Sequence, residues 1–158
     1  MNTTLCYIQR ANKYLLLFRN KKKHDVNQGK YVGVGGKFLP GETPDECLLR
    51  EVREETGFRL TEFQLRGLVR FESDTWENED MYLYTATAFT WADGTPAEGF
   101  PVPECAEGTF QWVDIAQVEN LPAWEGDRHF LRALAAGRTD IRMTLTYVGD
   151  TLVRAEGV

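Results

Sequence analysis

The sequence predicts a mixed α/β fold in which a mixed β-sheet is sandwiched between helices. Three observations point there. Short, β-rich apolar runs arrive in hairpin-like pairs, a well-capped amphipathic helix follows a glycine-rich stretch, and a second helical segment sits late among further strands. Hairpins favour a mixed sheet over a purely parallel one, whose strands need crossovers of a dozen or more residues. With 158 residues and 42% hydrophobic content the chain can bury one sizeable core, so residues 1–158 are read as a single domain.

Thr3 to Gln9 and Lys13 to Phe18 are the first two strands, separated by Arg10, Ala11 and Asn12 as in a hairpin. From Asn20 to Lys30 the chain is polar and basic. Tyr31 to Phe38 then carries Gly33, Gly35 and Gly36, with Gly41 just beyond, which reads as a loop built for close approach. Thr43, Pro44 and Glu46 open a helix: threonine caps, proline suits the first helical position and the glutamate completes a capping box. Gly57 stops it. Leu48, Val52 and Thr56 recur every four residues and face the core, with Leu49 beside them. Gln64 to Glu72, Met81 to Thr90 and Phe110 to Val113 read as strands, Asp127 to Ala136 as a helix, and Met143 to Arg154 as a hairpin turned at Gly149 and Asp150.

The net charge of −6 argues against a binder of nucleic-acid polymers, which gains affinity by neutralising phosphates with Lys and Arg. A phosphate compound then needs a bound cation or a local basic segment, and Arg19, Lys21, Lys22, Lys23 and His24 supply one candidate. The chain has no run of about 18 apolar residues and no basic region before Leu5 to Ile8, so a membrane partner and a signal peptide are not expected. Cys6, Cys47 and Cys105 are odd in number and match no disulfide framework or zinc spacing, which fits reduced thiols in a cytoplasm. Cys47, near the buried helix stripe, reads as a packing residue. The oligomeric state leaves no mark in the sequence.

On a helix, Glu51, Glu54 and Glu55 fall within an arc of about 100°. Such crowding beside an apolar stripe costs stability unless a cation compensates, and oxygen-only ligands select a hard cation such as Mg²⁺. The alternative is a solvated face on which Arg50 and Arg53 make ordinary exposed ion pairs. The wider pattern decides between them. Gly36 to Phe58 reads GKFLPGETPDECLLREVREETGF, which resembles the box of the Nudix hydrolase superfamily, G-x5-E-x7-R-E-U-x-E-E-x-G-U with U bulky and apolar. Gly36, Glu42, Arg50, Glu51, Glu54, Glu55 and Gly57 fill every fixed position, and Val52 and Phe58 the apolar ones. A chance match is on the order of 10⁻⁷ at ordinary residue frequencies.

The resemblance implies the Nudix fold and a phosphoanhydride hydrolase that takes a small-molecule nucleotide. It further implies that Glu51, Glu54 and Glu55, with the Gly36 carbonyl, bind Mg²⁺ or Mn²⁺, and that Glu51 or Glu54 orients or deprotonates water. Arg50 becomes an orienting partner and Glu42 a support. Glu107 or Glu104 supplies an extra acid. A divalent cation lowers the pKa of water and offsets phosphate charge, so no covalent nucleophile is needed.

KKKHDVNQGKYVGVGGKF and CAEGTFQWVDIAQVENLPAWEGDRHF resemble the branch of the family that sanitises oxidised nucleotides, the 8-oxo-dGTP diphosphatases of the MutT type. This implies hydrolysis of a nucleoside triphosphate to monophosphate and pyrophosphate, a role allied to DNA repair. Trp124 would stack on a purine and Asp127 hydrogen-bond its edge; the alternative has Trp124 covering the core and Asp127 capping the last helix. Lys23, in the Lys21 to Lys23 run, and Lys37 are candidates for holding phosphates, with a solvated loop as the favoured alternative for the run. Mammalian members of the branch have Asn where this chain has Val32, and adjacent acids where it has Gly126 and Asp127. ADP-ribose and dinucleoside polyphosphate hydrolases commonly carry Pro or Tyr fifteen to eighteen residues beyond the box glycine, where Glu72 to Thr75 stand here. They and a non-catalytic nucleotide-binding module are the competing readings.

Overall fold

The computed structural model describes residues Met1–Val158 and contains nine strands, two α-helices and a short 3₁₀-helix. β1 (Asn2–Arg10) and β2 (Lys13–Phe18) form the expected hairpin, closed by Ala11 in a left-handed conformation. The stretch expected as a loop contains two short strands, β3 (Tyr31–Val32) and β4 (Val34–Lys37). Close approach is nevertheless what its glycines provide: a Cβ on Gly35 would lie 1.9 Å from the Thr4 carbonyl oxygen. Backbones that near one another pair, and β4 runs antiparallel to β1 from Thr3↔Lys37 to Cys6↔Val34.

Helix α1 (Pro44–Thr56) begins as its sequence dictates. The Thr43 hydroxyl accepts from the Glu46 amide at 3.2 Å and the Glu46 carboxylate accepts from the Thr43 amide at 3.0 Å; such a cap contributes about 1 kcal/mol. Gly57 ends the helix at φ 76°. Leu48, Val52 and Thr56 are buried as expected, but Leu49 is 37% exposed, and the fourth buried residue is Cys47. At 100° per residue Leu49 turns away from the sheet, whereas Cys47 turns toward β1 and β4, its thiol lying 3.4 Å from the Thr4 hydroxyl.

β5 (Phe58–Ser73) and β6 (Glu79–Trp91) are longer than their apolar cores, because bulges between Leu60 and Gly67 let antiparallel pairing continue through polar residues. β7 (Thr109–Asp114) pairs with β2 and leads into the 3₁₀-helix Ile115–Asn120; then come α2 (Asp127–Ala135) and the hairpin of β8 (Ile141–Val148) and β9 (Thr151–Glu156).

The sheet runs β3-β2-β1-β6-β5-β8-β9, with β4 added on β1 and β7 on β2. The β1–β6 and β5–β8 pairs are parallel and the others antiparallel. Alternation along β1 sends Tyr7 to one face and Cys6 and Ile8 to the other, so two cores form. The first is covered by α2 through Phe130, Leu131 and Leu134, the second by α1 through Leu48 and Val52. The sheet is thus held between two helices, as the sequence predicts. No helix is long and apolar enough to cross a membrane.

Candidate active site

Arg50 organises the acids of α1. Its guanidinium donates to both Glu42 oxygens (2.6 and 2.9 Å), to Glu51 (2.9 Å), to Glu54 (3.1 Å) and to the Lys37 carbonyl (3.0 Å). Glu42 also accepts from the Leu39 amide at 2.7 Å, so the turn before α1 is fastened to the helix. The paired Arg50 guanidinium and that amide hold the Glu42 carboxyl down at about 2.

Glu51 presses against β4: a Cβ on Gly36 would lie 2.7 Å from its carboxylate. The Gly36 position therefore tolerates no side chain while Glu51 keeps its place. Glu55 lies within hydrogen-bonding reach of Glu51 and in the field of Glu107. Burial first, then those two carboxylates, push the Glu55 carboxyl up to about 9 against the pull of Arg19. Glu54 differs: 59% of its side chain is exposed and Arg50 is its protein partner.

The structure thus brings Glu51, Glu55, Glu107 and the Gly36 backbone together, while Arg50 draws Glu54 and one oxygen of Glu51 to itself. As the side chains stand, no three acidic, histidine or cysteine side chains form a ready-made metal cage. The donor set still fits a hard divalent cation. It is oxygen only, and two acids in contact are what such an ion neutralises.

Of the two candidates for an extra acid, Glu107 lies among these groups and Glu104 does not. Glu107 accepts from Arg19 at 2.9 Å and lies 3.9 Å from Lys22. Glu104 is exposed, bridged through its backbone to Thr109, and absent from the charges acting on Glu55. Lys23 is exposed and makes no ion pair, whereas Lys37 leads from Gly36 toward the field of Glu79. Arg19, noted in the sequence only as part of a basic run, is a structural link. Its side chain holds Asp25 (2.6 Å) and Glu107, and its backbone bonds to Gly29 and Lys30.

Lys30 leads to the second part of the site, its ammonium lying 4.5 Å from the centre of the Trp124 ring. Trp124 packs edge-on to Tyr147 and donates from its indole nitrogen to Asn27 at 3.0 Å. It is partly buried against the α2-side core, together with Leu5, Tyr31 and Phe71. Asp127 does not cap α2: it is the first helical residue, and the cap position, Gly126, makes no side-chain bond. Asp127 is only 7% exposed, yet its carboxyl takes no hydrogen bond from the protein. Burial, and then Glu79, push it up to about 8 against the pull of Lys30.

The NUDIX domain model matches residues 1–134. The Nudix hydrolase YvcI of Bacillus subtilis is 33% identical over 151 residues, covering 93% of this chain and 87% of that protein. The oxidized purine nucleoside triphosphate hydrolase of Danio rerio is 30% identical over 126 residues, covering 78% and 72%. Among solved structures, the mutator MutT protein of Bacillus halodurans superposes with a TM-score of 0.81 at 23% identity over 98% of this chain and 95% of that one, a likeness of fold. Nudix hydrolases act on small nucleotide substrates and generally use divalent metal ions. Box, fold and comparisons agree: the chain belongs to the Nudix hydrolase family and has MutT-like relatives.

Proposed function

We propose that this protein hydrolyses a nucleoside triphosphate to the monophosphate and pyrophosphate in a Mg²⁺-dependent reaction, with 8-oxo-dGTP or a related modified nucleotide as substrate. The observation that carries this reading is a continuous path between two features. The acid cluster of Glu51, Glu55 and Glu107 is joined through Arg19 and Lys30 to a half-buried aromatic wall ending in the unpartnered acid Asp127. A nucleotide needs both ends: acids for its phosphates through a cation, and an aromatic pocket with one polar reader for its base. The similarity to the Danio rerio enzyme supports an oxidised purine as that base.

In this reading Glu51, Glu54, Glu55 and the Gly36 carbonyl hold Mg²⁺, with Mn²⁺ as a substitute. The cation supplies charge neutralisation at the phosphates and acidifies water. Arg50 keeps Glu51 and Glu54 oriented, with Glu42 behind it. Glu54, the most exposed of these acids, accepts the proton of the attacking water. The water oxygen bonds to phosphorus, the anhydride bond breaks, and pyrophosphate and monophosphate leave. Glu107 serves as the extra acid, Lys23 and Lys37 flank the phosphates, Trp124 stacks on the base and Asp127 reads its edge. The whole of residues 1–158 acts as one domain, in the cytoplasm.

The test is a product-resolved assay with Mg²⁺ across 8-oxo-dGTP, dGTP, dATP, dCTP, ADP-ribose and diadenosine polyphosphates. The expected result is 8-oxo-dGTP as best substrate with pyrophosphate released. ADP-ribose or a dinucleotide as best substrate overturns the base assignment, and no hydrolysis of any of them overturns the enzymatic reading.

A further inference from the structure

Asp127 is not the only acid beside the aromatic side chains Trp124, Tyr147 and Phe71. Glu79 opens β6 opposite Phe71 of β5, two residues before the core residue Met81 and therefore on the same sheet face. Its Oε2 accepts from the Thr3 hydroxyl of β1 at 2.6 Å, and Thr3 itself is buried. That bond fixes one oxygen and leaves Oε1 available. Glu79 is near enough to Asp127 to be the largest charge acting on it.

Neither acid is ion-paired, and while Glu79 has the Thr3 hydroxyl, Asp127 has no hydrogen-bond partner, which is unusual for a buried carboxylate. No fully enclosed side-chain oxygen in the protein lacks a hydrogen bond, so the unpartnered oxygens of Asp127 keep a small accessible surface. The position immediately before Asp127 takes no side chain. A Cβ on Gly126 would lie 2.7 Å from the Tyr147 hydroxyl, which accepts from the Gly126 amide at 2.7 Å. The second acid near Asp127 comes instead from β6, as Glu79.

We propose that Glu79 is a specificity-determining residue, reading the base jointly with Asp127 and selecting a guanine-type edge bearing N1–H and a 2-amino group. This rests on the nucleotide reading above and names the residue it leaves open. The two carboxyls offer acceptors for the N–H groups. Burial raises both, so that near neutral pH the pair retains a proton with which to meet the 6-oxo group. Thr3 is a positioning residue acting through Glu79.

The experiment compares binding of dGMP and dIMP, which differ only in the 2-amino group, to the intact protein, Glu79→Gln and Thr3→Val, by calorimetry without metal. The wild type is expected to prefer dGMP. Glu79→Gln should weaken dGMP binding at least about tenfold and bring the two nucleotides close to equal affinity, the scale of a lost hydrogen bond to a charged group. Thr3→Val should narrow the preference to a smaller extent, which gives a second readout if Glu79→Gln folds poorly. An unchanged preference in both variants overturns the inference, and so does a wild type that binds neither nucleotide at millimolar concentration. If the preference collapses as expected but no triphosphate is hydrolysed, the catalytic reading falls and the base-reading role of Glu79 stands.

Discussion

Arg50 grips Glu42 with two parallel hydrogen bonds, Nε to Oε2 at 2.6 Å and Nη2 to Oε1 at 2.9 Å, while its remaining nitrogen reaches Glu51 and Glu54. A planar fork is needed to serve three carboxylates at once, and a lysine ammonium cannot reproduce it. Arg50→Lys should therefore lower turnover by about 10- to 100-fold, as loss of a partner behind metal ligands typically does. Weaker Mg²⁺ binding by calorimetry should accompany the loss. In the parent protein the guanidinium holds the Glu42 carboxyl at about 2, so the pair stays ionised through any ordinary assay pH.

Glu54 is peripheral to the fold: its side chain is 59% exposed and its one ion-pair partner is Arg50. Glu54→Gln should leave the melting temperature within about 2 °C, the range of ordinary surface substitutions. Turnover should fall by orders of magnitude, because the lost charge is one meant for the cation and the water. Unchanged turnover in a steady-state assay would remove Glu54 from the chemistry.

Gly36 and Glu51 give a sharper test of geometry than either acid gives of charge. An alanine methyl at 36 would occupy the position 2.7 Å from the Glu51 carboxylate, and that carboxylate is the end of a flexible side chain. Folding should tolerate the change by letting Glu51 swing aside. Catalysis should not, since displacement by about 1 Å can cost on the order of 100-fold. Gly36→Ala should thus combine a near-normal melting curve with lost activity.

The helix carrying these acids was legible from sequence because every local rule agreed: cap, stop signal, apolar spacing and box motif all mark Pro44–Thr56. Strands β3 and β4 were hidden because glycine-rich pairing looks like a loop when the partner strand is far away in sequence. Pairing of acids with Arg19, and the meeting of Thr3, Glu79 and Asp127, were illegible for the same reason. Those residues lie on β1, β6 and α2, and nothing local in any one segment signals the other two. Glu107 and Glu104 were indistinguishable as sequence neighbours, and what separates them is distant in sequence: Arg19 and Lys22 on one side and Glu55 on the other.

Asp127 predicts a pH dependence of stability. The groups facing it are Glu79 from β6, Tyr7 from β1, Tyr147 from β8 and Lys30 from the segment before β3. Its carboxyl rises from 3.8 to about 8 on folding, so between those values the folded chain keeps a proton that the unfolded chain gives up. Stability from this group is fully present below about pH 4 and is lost as pH rises through 8, on the order of 5 kcal/mol in all. Asp127→Asn has no such proton to lose. Denaturant melts at pH 5 and pH 8.5 should show the variant gaining on the parent as pH rises, and a constant difference would contradict the buried, protonated state.

Trp124 separates stacking from scaffolding. Its ring is covered by Lys30 at 4.5 Å and met edge-on by Tyr147, and its indole nitrogen holds Asn27 in the basic segment. Trp124→Phe keeps an aromatic face but drops the bond to Asn27; Trp124→Ala drops both. If the ring stacks on the substrate, Trp124→Phe should raise KM less than about threefold and Trp124→Ala about tenfold or more, the scale of one base–aromatic stack, with kcat little changed in either. If its service is only to pin Asn27, the two variants should raise KM equally, because both lose the same hydrogen bond. The ratio of the two KM values therefore decides whether the indole belongs to the base pocket or to its frame.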